Sequence, residues 1–118
     1  MVAPPPDYPE GRPRVFRATV HGTVFNDRER HLDELRRGDP VVIIPDPPGE
    51  EEPGVWVHLS TGEPVGHLPP EIARWLWPWL TRGGRATGQA EAVHGAEVPS
   101  WRRLVVEVDC GRPLRGDA

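Results

Sequence analysis

The sequence predicts a mainly β fold: a small, strongly curved β-barrel of five to six strands with one short α-helix. The first observation is the content of helix-breaking residues, 16 Pro and 13 Gly in 118 residues, which argues against a helical bundle. The second is a series of short β-forming segments separated by turn signals, without the strand–helix alternation of a parallel sheet. A barrel closes the edges of such a sheet, and a chain of this length buries one modest core.

The first third of the chain predicts one strand and a charged connection. Residues 14–20 are rich in strand formers and predict a strand, which ends at His21-Gly22. Extended structure is expected to resume over residues 23–25. The charged residues 26–37 then form either a single helical turn or a loop with two buried leucines, Leu32 and Leu35.

The middle of the chain predicts three strands. The β-branched run at residues 41–44 indicates a strand buried on both faces. Residues 55–59 alternate cleanly, with Trp56 and His58 on the face opposite the aliphatic side chains. The turn at residues 60–63 leads back into residues 65–68, so these two strands form a hairpin.

One helix begins after Pro69, because proline is well tolerated in the first turn. Its apolar face is predicted to carry five residues: Ile72, Trp75, Leu76, Trp79 and Leu80. Trp77 is predicted to point away from that face, and Pro78 to kink or end the helix before Gly83. Residues 85–93 predict a weak strand, and residues 101–108 a good one.

The domain organisation predicted from composition is simple. Residues 1–12 form a Pro-rich N-terminal arm expected to be disordered or loosely laid on the domain, residues 13–110 the barrel domain, and residues 111–118 a C-terminal tail. No apolar run reaches the roughly 20 residues of a membrane span, and no secretory signal is visible, so the expected compartment is the cytoplasm.

Charge and cysteine usage exclude several function classes. A net charge of −4 argues against binding nucleic acid through a broad basic face, although an end-specific or base-stacking site needs few phosphate contacts. The single cysteine, Cys110, excludes an internal disulfide and a multi-cysteine zinc site. The histidines lack paired-ligand spacing, so no metal is expected. No acid, base and nucleophile set converges, so the prediction is a protein that is not an enzyme and needs no cofactor.

Two features point to binding. Trp56, Trp77 and Trp101 are candidates for exposure, and exposed aromatics near arginines form a stacking platform for bases. The same tryptophans would equally suit a protein interface. The run at residues 50–52, all glutamate, is either a solvated loop or an acceptor for a ligand hydroxyl.

The order of these signals resembles the HIRAN domain family across residues 16–108. Residues 20–25, VHGTVF, resemble its opening strand and glycine motif, and residues 35–43, LRRGDPVVI, resemble its next segment. Residues 55–57 and 62–69 resemble the family's hairpin, with histidine where tyrosine is common. Residues 72–83 resemble its helix. The resemblance implies an OB-like β-barrel that occurs alone in bacteria or fused to helicases in eukaryotes.

The resemblance also implies a ligand. The best understood members bind the 3′ end of single-stranded DNA, stacking the terminal bases and contacting the free hydroxyl. By position, Phe25 matches a stacking aromatic, His67 a pocket histidine suited to a phosphate or sugar, and Trp101 falls near a further aromatic. Those members also carry a tyrosine and an aspartate in the loop after residues 46–47. Here that loop has no aromatic residue, but Glu50 or Glu51 remains to accept a hydroxyl hydrogen bond.

Two hypotheses follow. In the first, the protein is a non-catalytic module that docks a single-stranded DNA end in DNA repair or processing. Its nucleic-acid-binding residues would be Phe25, Arg28, Glu50, Glu51, His67 and Trp101. In the second, DNA binding has been lost and an outward Trp77 recruits a partner protein, such as a helicase or nuclease.

Overall fold

The computed structural model describes residues 6–111 and contains one six-stranded antiparallel sheet. The strands are β1 (Val15–Thr19), β2 (Pro40–Pro45), β3 (Val55–Leu59), β4 (Pro64–His67), β5 (Thr87–Val93) and β6 (Leu104–Asp109), and the helices are α1 (Arg28–Asp33) and α2 (Pro70–Thr81). A single 3-10 turn spans Ser100–Arg102. The strand order is β1-β6-β5-β2-β3-β4. The predicted mainly β, OB-like fold is therefore confirmed.

The sheet curls until its two edge strands meet. Just beyond β1, the His21 N–H donates to the His67 carbonyl at 2.8 Å, and the His67 N–H donates to the His21 carbonyl at 2.9 Å. This bridge joins the end of β1 to the end of β4. A Cβ at Gly66 would collide with the His21 carbonyl oxygen and with Val20. Glycine at 66 is therefore what lets the two edges approach.

The structure differs from the sequence prediction before β2. Residues 23–25 form a turn rather than extended chain. In the charged stretch the helical alternative is the one observed, as α1, and Leu32 and Leu35 are both buried as predicted. Strand β2 buries Val41 and Ile43 but leaves Val42 41% exposed, so only one of its faces is buried. In an antiparallel strand with one face in the core, buried and exposed residues alternate. Because every residue at 41–44 is β-branched, the sequence itself does not show this alternation.

The core lies inside the curled sheet and under α2. Val20, Val55, Val57, Val65, Leu76, Leu104, Val106 and Val108 are all fully buried. Helix α2 buries Ala73, Leu76 and Trp79 and continues past Pro78 to Thr81. Gly84 then lies against the Trp79 indole, where a Cβ would collide with the ring.

The described part of the N-terminal arm packs on the domain. Tyr8 makes an edge contact with the Trp79 ring at 5.0 Å, and its hydroxyl donates to the Pro13 carbonyl at 2.7 Å. Burial raises the pKa of Tyr8, and burial likewise raises the pKa of the Cys110 thiol. For residues 6–12 this packing corresponds to the second of the two expectations, an arm laid on the domain, while residues 1–5 and the tail at 112–118 lie outside the described residues.

Across residues 6–111, no helix has the length and apolarity that crossing a membrane requires.

Candidate nucleic-acid interface

Gly22 marks the point where two of the candidate site residues, Arg28 and His67, meet. It follows the barrel-closing His21 and has a positive φ of 73°, a conformation that favours glycine. A Cβ at Gly22 would lie 3.1 Å from two atoms of the His67 ring and 3.2 Å from a guanidinium nitrogen of Arg28. The fold therefore brings together two predicted site residues that are 39 positions apart in the sequence.

Arg28 is held in place by neutral groups. One guanidinium nitrogen donates to the Gly22 carbonyl at 2.9 Å, and the guanidinium carbon lies 4.9 Å from the centre of the Trp56 ring. Its Nε is buried with no hydrogen-bond partner within residues 6–111. In the same residues, the one ion pair within 4.0 Å joins Arg17 to Glu91. The positive charge of Arg28 is thus not neutralised by a described carboxylate.

The His67 imidazole lies beside this guanidinium with a defined orientation. Its Nδ1 is 3.2 Å from the Leu68 carbonyl oxygen. Because a carbonyl oxygen can only accept, Nδ1 carries the hydrogen and Nε2 remains available to a ligand. The ring makes an edge contact with Trp56 at 5.6 Å and lies 6.2 Å from the His21 ring. Arg28 and His67 together form a polar corner that suits an anion.

Two exposed aromatic residues stand beside that corner. Phe25 is 63% exposed in the turn before α1, and Trp101 is 54% exposed in the 3-10 turn before β6. The fully buried Thr23 hydroxyl donates to the Ser100 carbonyl at 3.1 Å and ties these two turns together. The predicted exposure of Trp101 is confirmed.

His67 also lines a cavity of about 440 Å³. The 46–54 loop and the start of α2 form its walls, and its lining comprises Glu51, Glu52, Pro53, Gly54, His67, Leu68, Pro70, Ala73, Arg74, Trp77 and Pro78. The cavity is mostly apolar, with charged groups contributed by Glu51, Glu52 and Arg74. Its volume is in the range of small-molecule sites.

Asp46 anchors the cavity loop. Its carboxylate accepts the Gly54 N–H and the Trp56 indole N–H, each at 2.7 Å. Its backbone carbonyl accepts the indole N–H of Trp77 at 2.8 Å. Asp46 therefore fixes the 46–54 loop, the Trp56 ring that contacts Arg28, and the Trp77 ring that lines the cavity.

The structure corrects two expectations about the tryptophans. Trp77, predicted to point outward, is half buried, packs against the core and lines the cavity. Trp56, a candidate for exposure, is also half buried, between Arg28 and His67. Both indole N–H groups bond to Asp46, a contact that hydrophobic periodicity does not reveal.

The remaining predicted residues fall at different places around the site. Glu51 lines the cavity, whereas Glu50 is exposed in the same loop and is not part of the lining. Glu52, part of the predicted glutamate run, also lines the cavity, whereas sequence reasoning missed Arg74 and the anchoring role of Asp46. The available signal was the position of Asp46 at the end of β2, directly before a loop rich in Pro and Gly.

The two histidines of the β3–β4 hairpin are not cross-strand partners. His67 lies opposite Trp56 in the β3–β4 pair, while His58 lies opposite Pro64, so the two hairpin histidines do not face each other. Within residues 6–111, no cluster of three or more His, Cys, Asp or Glu side chains could hold a metal ion.

This chain is similar to a known protein in its fold. No family model matches the chain, and no curated protein matches it. Among solved structures, the chain is similar to the crystal structure of the HIRAN domain of human HLTF, at 19% sequence identity and a TM-score of 0.57. The match covers 80% of this chain and 74% of the HLTF domain chain. The protein therefore has a HIRAN-like fold.

Proposed function

We propose that this protein is a nucleic-acid-binding module that docks a single-stranded DNA end through a free 3′-hydroxyl. The observation that carries the proposal is the convergence of Arg28 and His67 at Gly22, with His67 also lining the cavity. Such a site needs few phosphate contacts, which makes it compatible with a net charge of −4.

Arg28 and His67 contact phosphate in this proposal. The guanidinium is already positioned by the Gly22 carbonyl and by Trp56, so little side-chain freedom is lost on binding. The Nε2 atom of His67 lies close to that charge. An ionised phosphate oxygen would accept a charge-assisted hydrogen bond from the guanidinium, and one from His67 Nε2 in the imidazolium form, in which both ring nitrogens carry a hydrogen.

Phe25 and Trp101 stack on bases that precede the bound end. Both rings are more than half exposed, and the Thr23–Ser100 hydrogen bond joins their turns. Base stacking on an aromatic residue contributes about 1–3 kcal/mol and tolerates any base. The two rings therefore supply affinity without strong sequence preference.

Glu51 accepts the terminal hydroxyl. It lines the cavity, whereas Glu50 lies outside the lining, so Glu51 is the better placed of the two candidates. A carboxylate accepts a hydrogen bond from a hydroxyl but repels a phosphate. This chemistry favours a free 3′-hydroxyl over a phosphorylated end.

The module itself is proposed to be non-catalytic and to act in DNA repair or processing. Binding of an end suits a protein that brings a helicase or nuclease to its substrate. The half-buried position of Trp77 gives no support to the alternative in which that side chain forms an outward partner surface.

Fluorescence anisotropy with two labelled oligonucleotides tests the proposal. The two share one sequence and differ only in a free 3′-hydroxyl or a 3′-phosphate, with the label at the 5′ end. We expect binding of the first, about tenfold or more weaker binding of the second, and a shallow salt dependence. Equal binding of both would contradict end recognition, and binding of neither would contradict the function itself.

A further inference from the structure

An aromatic groove on the domain is filled by the chain's own N-terminal arm. Trp75 and Trp79 of α2 form its walls, and Phe16 of β1 lies against Trp75 with 5.3 Å between the ring centres. We call these three residues the arm groove. The Tyr8 ring meets Trp79 edge-on at 5.0 Å and Trp75 edge-on at 6.1 Å. No residue of the arm groove lines the cavity beside His67, so the groove is separate from the proposed DNA site.

A cation that the domain itself holds covers the tyrosine in the groove. The guanidinium carbon of Arg14 lies 4.5 Å from the centre of the Tyr8 ring. One guanidinium nitrogen of Arg14 donates to the Gly111 carbonyl at 3.2 Å, and the Arg14 carbonyl accepts the Cys110 N–H at 2.7 Å. These bonds do not involve the arm. Arg14 therefore offers the same cation–π contact to any aromatic ring that takes the place of Tyr8.

The arm is attached through ring packing rather than through strand pairing. In the described part of the chain, residues 6–12 make no backbone–backbone hydrogen bond to the rest of the domain. The indole N–H of Trp79 donates to the Pro6 carbonyl across 3.4 Å, a long hydrogen bond. The Tyr8 hydroxyl donates to the Pro13 carbonyl, directly after the arm. The arm can thus leave the groove without breaking any pairing of the sheet.

This mode of contact is the one that proline-rich peptides use. Prolines fix the backbone and donate no N–H, so their recognition relies on aromatic walls and on donors that face the peptide carbonyls. The arm has that chemistry, because residues 4–9 read PPPDYP and place a proline on both sides of Tyr8. A segment stiffened by proline also loses little conformational freedom on binding.

We propose that the arm groove binds a proline-rich segment of a partner protein, with the pattern Pro-x-Tyr-Pro, in exchange for the chain's own arm. The tyrosine of the partner takes the place of Tyr8 between the two tryptophans and beneath Arg14. A second copy of the chain can only repeat the contacts of the arm, at a lower local concentration than the arm itself has. A different protein can add contacts beyond the pattern, which is why the partner is a different protein.

A labelled peptide with the sequence of residues 4–12, PPPDYPEGR, tests the proposal on the full-length protein by fluorescence anisotropy. Tyr8→Ser removes the ring that holds the protein's own arm in the groove. This variant is expected to bind the peptide about tenfold or more tightly than the wild-type protein, in which the arm competes. A peptide with serine in place of its tyrosine is expected to bind neither protein.

Two double variants locate the bound peptide. Trp75→Leu, added to Tyr8→Ser, removes a half-buried wall of the groove and should abolish binding. Trp101→Leu in the same background is the matched control, because it removes an exposed tryptophan outside the groove, and it should leave binding unchanged. Circular dichroism checks that each variant is folded. Binding that survives Trp75→Leu, or equal binding by the wild-type and Tyr8→Ser proteins, would overturn the proposal.

The wild-type protein allows a second measurement that needs no variant. Unlabelled peptide at millimolar concentration should move the backbone amide NMR signals of Asp7 and Gly11 towards those of a free peptide, while the Val42 amide on β2 stays in place. Arm signals that do not respond, together with no binding by a folded Tyr8→Ser variant, would overturn the proposal. Light scattering that gives twice the mass of one chain would overturn it as well, because it would assign the groove to arms exchanged between two copies.

Discussion

The indole N–H of Trp56 donates a 2.7 Å hydrogen bond to the carboxylate of Asp46, and the same carboxylate accepts the Gly54 N–H at 2.7 Å. The two bonds close the 46–54 loop onto β3 and hold the Trp56 ring beneath Arg28. The Asp46 side chain thus adds two hydrogen bonds to the backbone bond from the Asp46 N–H to the Gly54 carbonyl at 2.9 Å, which closes the same loop.

Asp46→Asn should destabilise the protein by about 1–3 kcal/mol. An amide has one acceptor oxygen, so one of the two donors must lose its partner or face the NH₂ group. Urea denaturation monitored by tryptophan fluorescence gives the free energy of unfolding. Glu50→Gln is the control, because Glu50 is exposed in the same loop, and it should leave stability unchanged. Equal stability of the Asp46→Asn variant would show that the carboxylate does not anchor the loop.

Phe25→Ala should weaken binding of single-stranded DNA about tenfold while leaving the unfolding midpoint unchanged. The side chain is 63% exposed, so its loss removes a stacking surface rather than core packing. Anisotropy titration and thermal unfolding of the same sample measure both effects. Val42→Ala removes another exposed apolar side chain, on β2, and should change neither. Unchanged affinity after Phe25→Ala would remove this residue from the site.

Arg28→Gln should reduce both DNA affinity and the dependence of affinity on salt. Loss of one phosphate contact lowers the magnitude of the slope of log K against log salt by about one. Titrations at four salt concentrations provide that slope. Arg30→Gln serves as the comparison, because Arg30 is an exposed arginine of the same helix. If both variants change the slope equally, the contribution is general charge rather than a defined contact.

Gly66→Ala should cost about 3 kcal/mol of stability, near the upper end for overpacking. The new methyl group would press on the His21 carbonyl and on Val20, where the edges of the sheet meet. Gly54→Ala is a suitable comparison, because the nearest atom to a Cβ there is 3.4 Å away. Denaturant unfolding of both variants measures the difference. An unchanged free energy of unfolding in Gly66→Ala would mean that the His21–His67 bridge accommodates the methyl group at no cost in stability.

Stability should fall as pH rises above about 8.5, the ordinary pKa of a cysteine thiol. Burial raises the pKa of Cys110, so above that pH the unfolded chain has lost a proton that the folded protein still holds. The free energy of unfolding then decreases by up to about 1.4 kcal/mol per pH unit. Cys110→Ala should flatten the decline between pH 8.5 and 10. An unchanged decline in that variant would assign it to other groups.

Local patterns predicted most of the sheet. The alternation at residues 55–59 and the turn after it predicted the β3–β4 hairpin, and helical periodicity predicted α2 with its buried Leu76 and Trp79. These elements follow from interactions between residues close in the sequence. Residues 23–25 were predicted wrongly, because their conformation depends on the hydrogen bond from Thr23 to Ser100, which lies 77 positions away.

The candidate site was predictable only in part. The family resemblance pointed to Phe25, His67 and Trp101 as site residues. The closeness of Arg28 to His67 is seen only in the structure. The surroundings of Trp56 and Trp77 could not be predicted, because both rings are oriented by hydrogen bonds to Asp46 that cross between elements. Helical periodicity assigns Trp77 to the face opposite the core but cannot show that a loop covers that face.

The two backbone hydrogen bonds between His21 and His67 join the edges of the sheet, and they involve the residue that is proposed to contact phosphate. We call this pair of bonds the seam of the barrel. Opening this seam exposes the two amides to solvent, so their hydrogen-exchange rates report how often the barrel edge separates. A ligand that contacts the His67 ring favours the closed seam and slows exchange at both amides. Occupancy of the site can thus be followed at the backbone of the protein, without a label on either molecule.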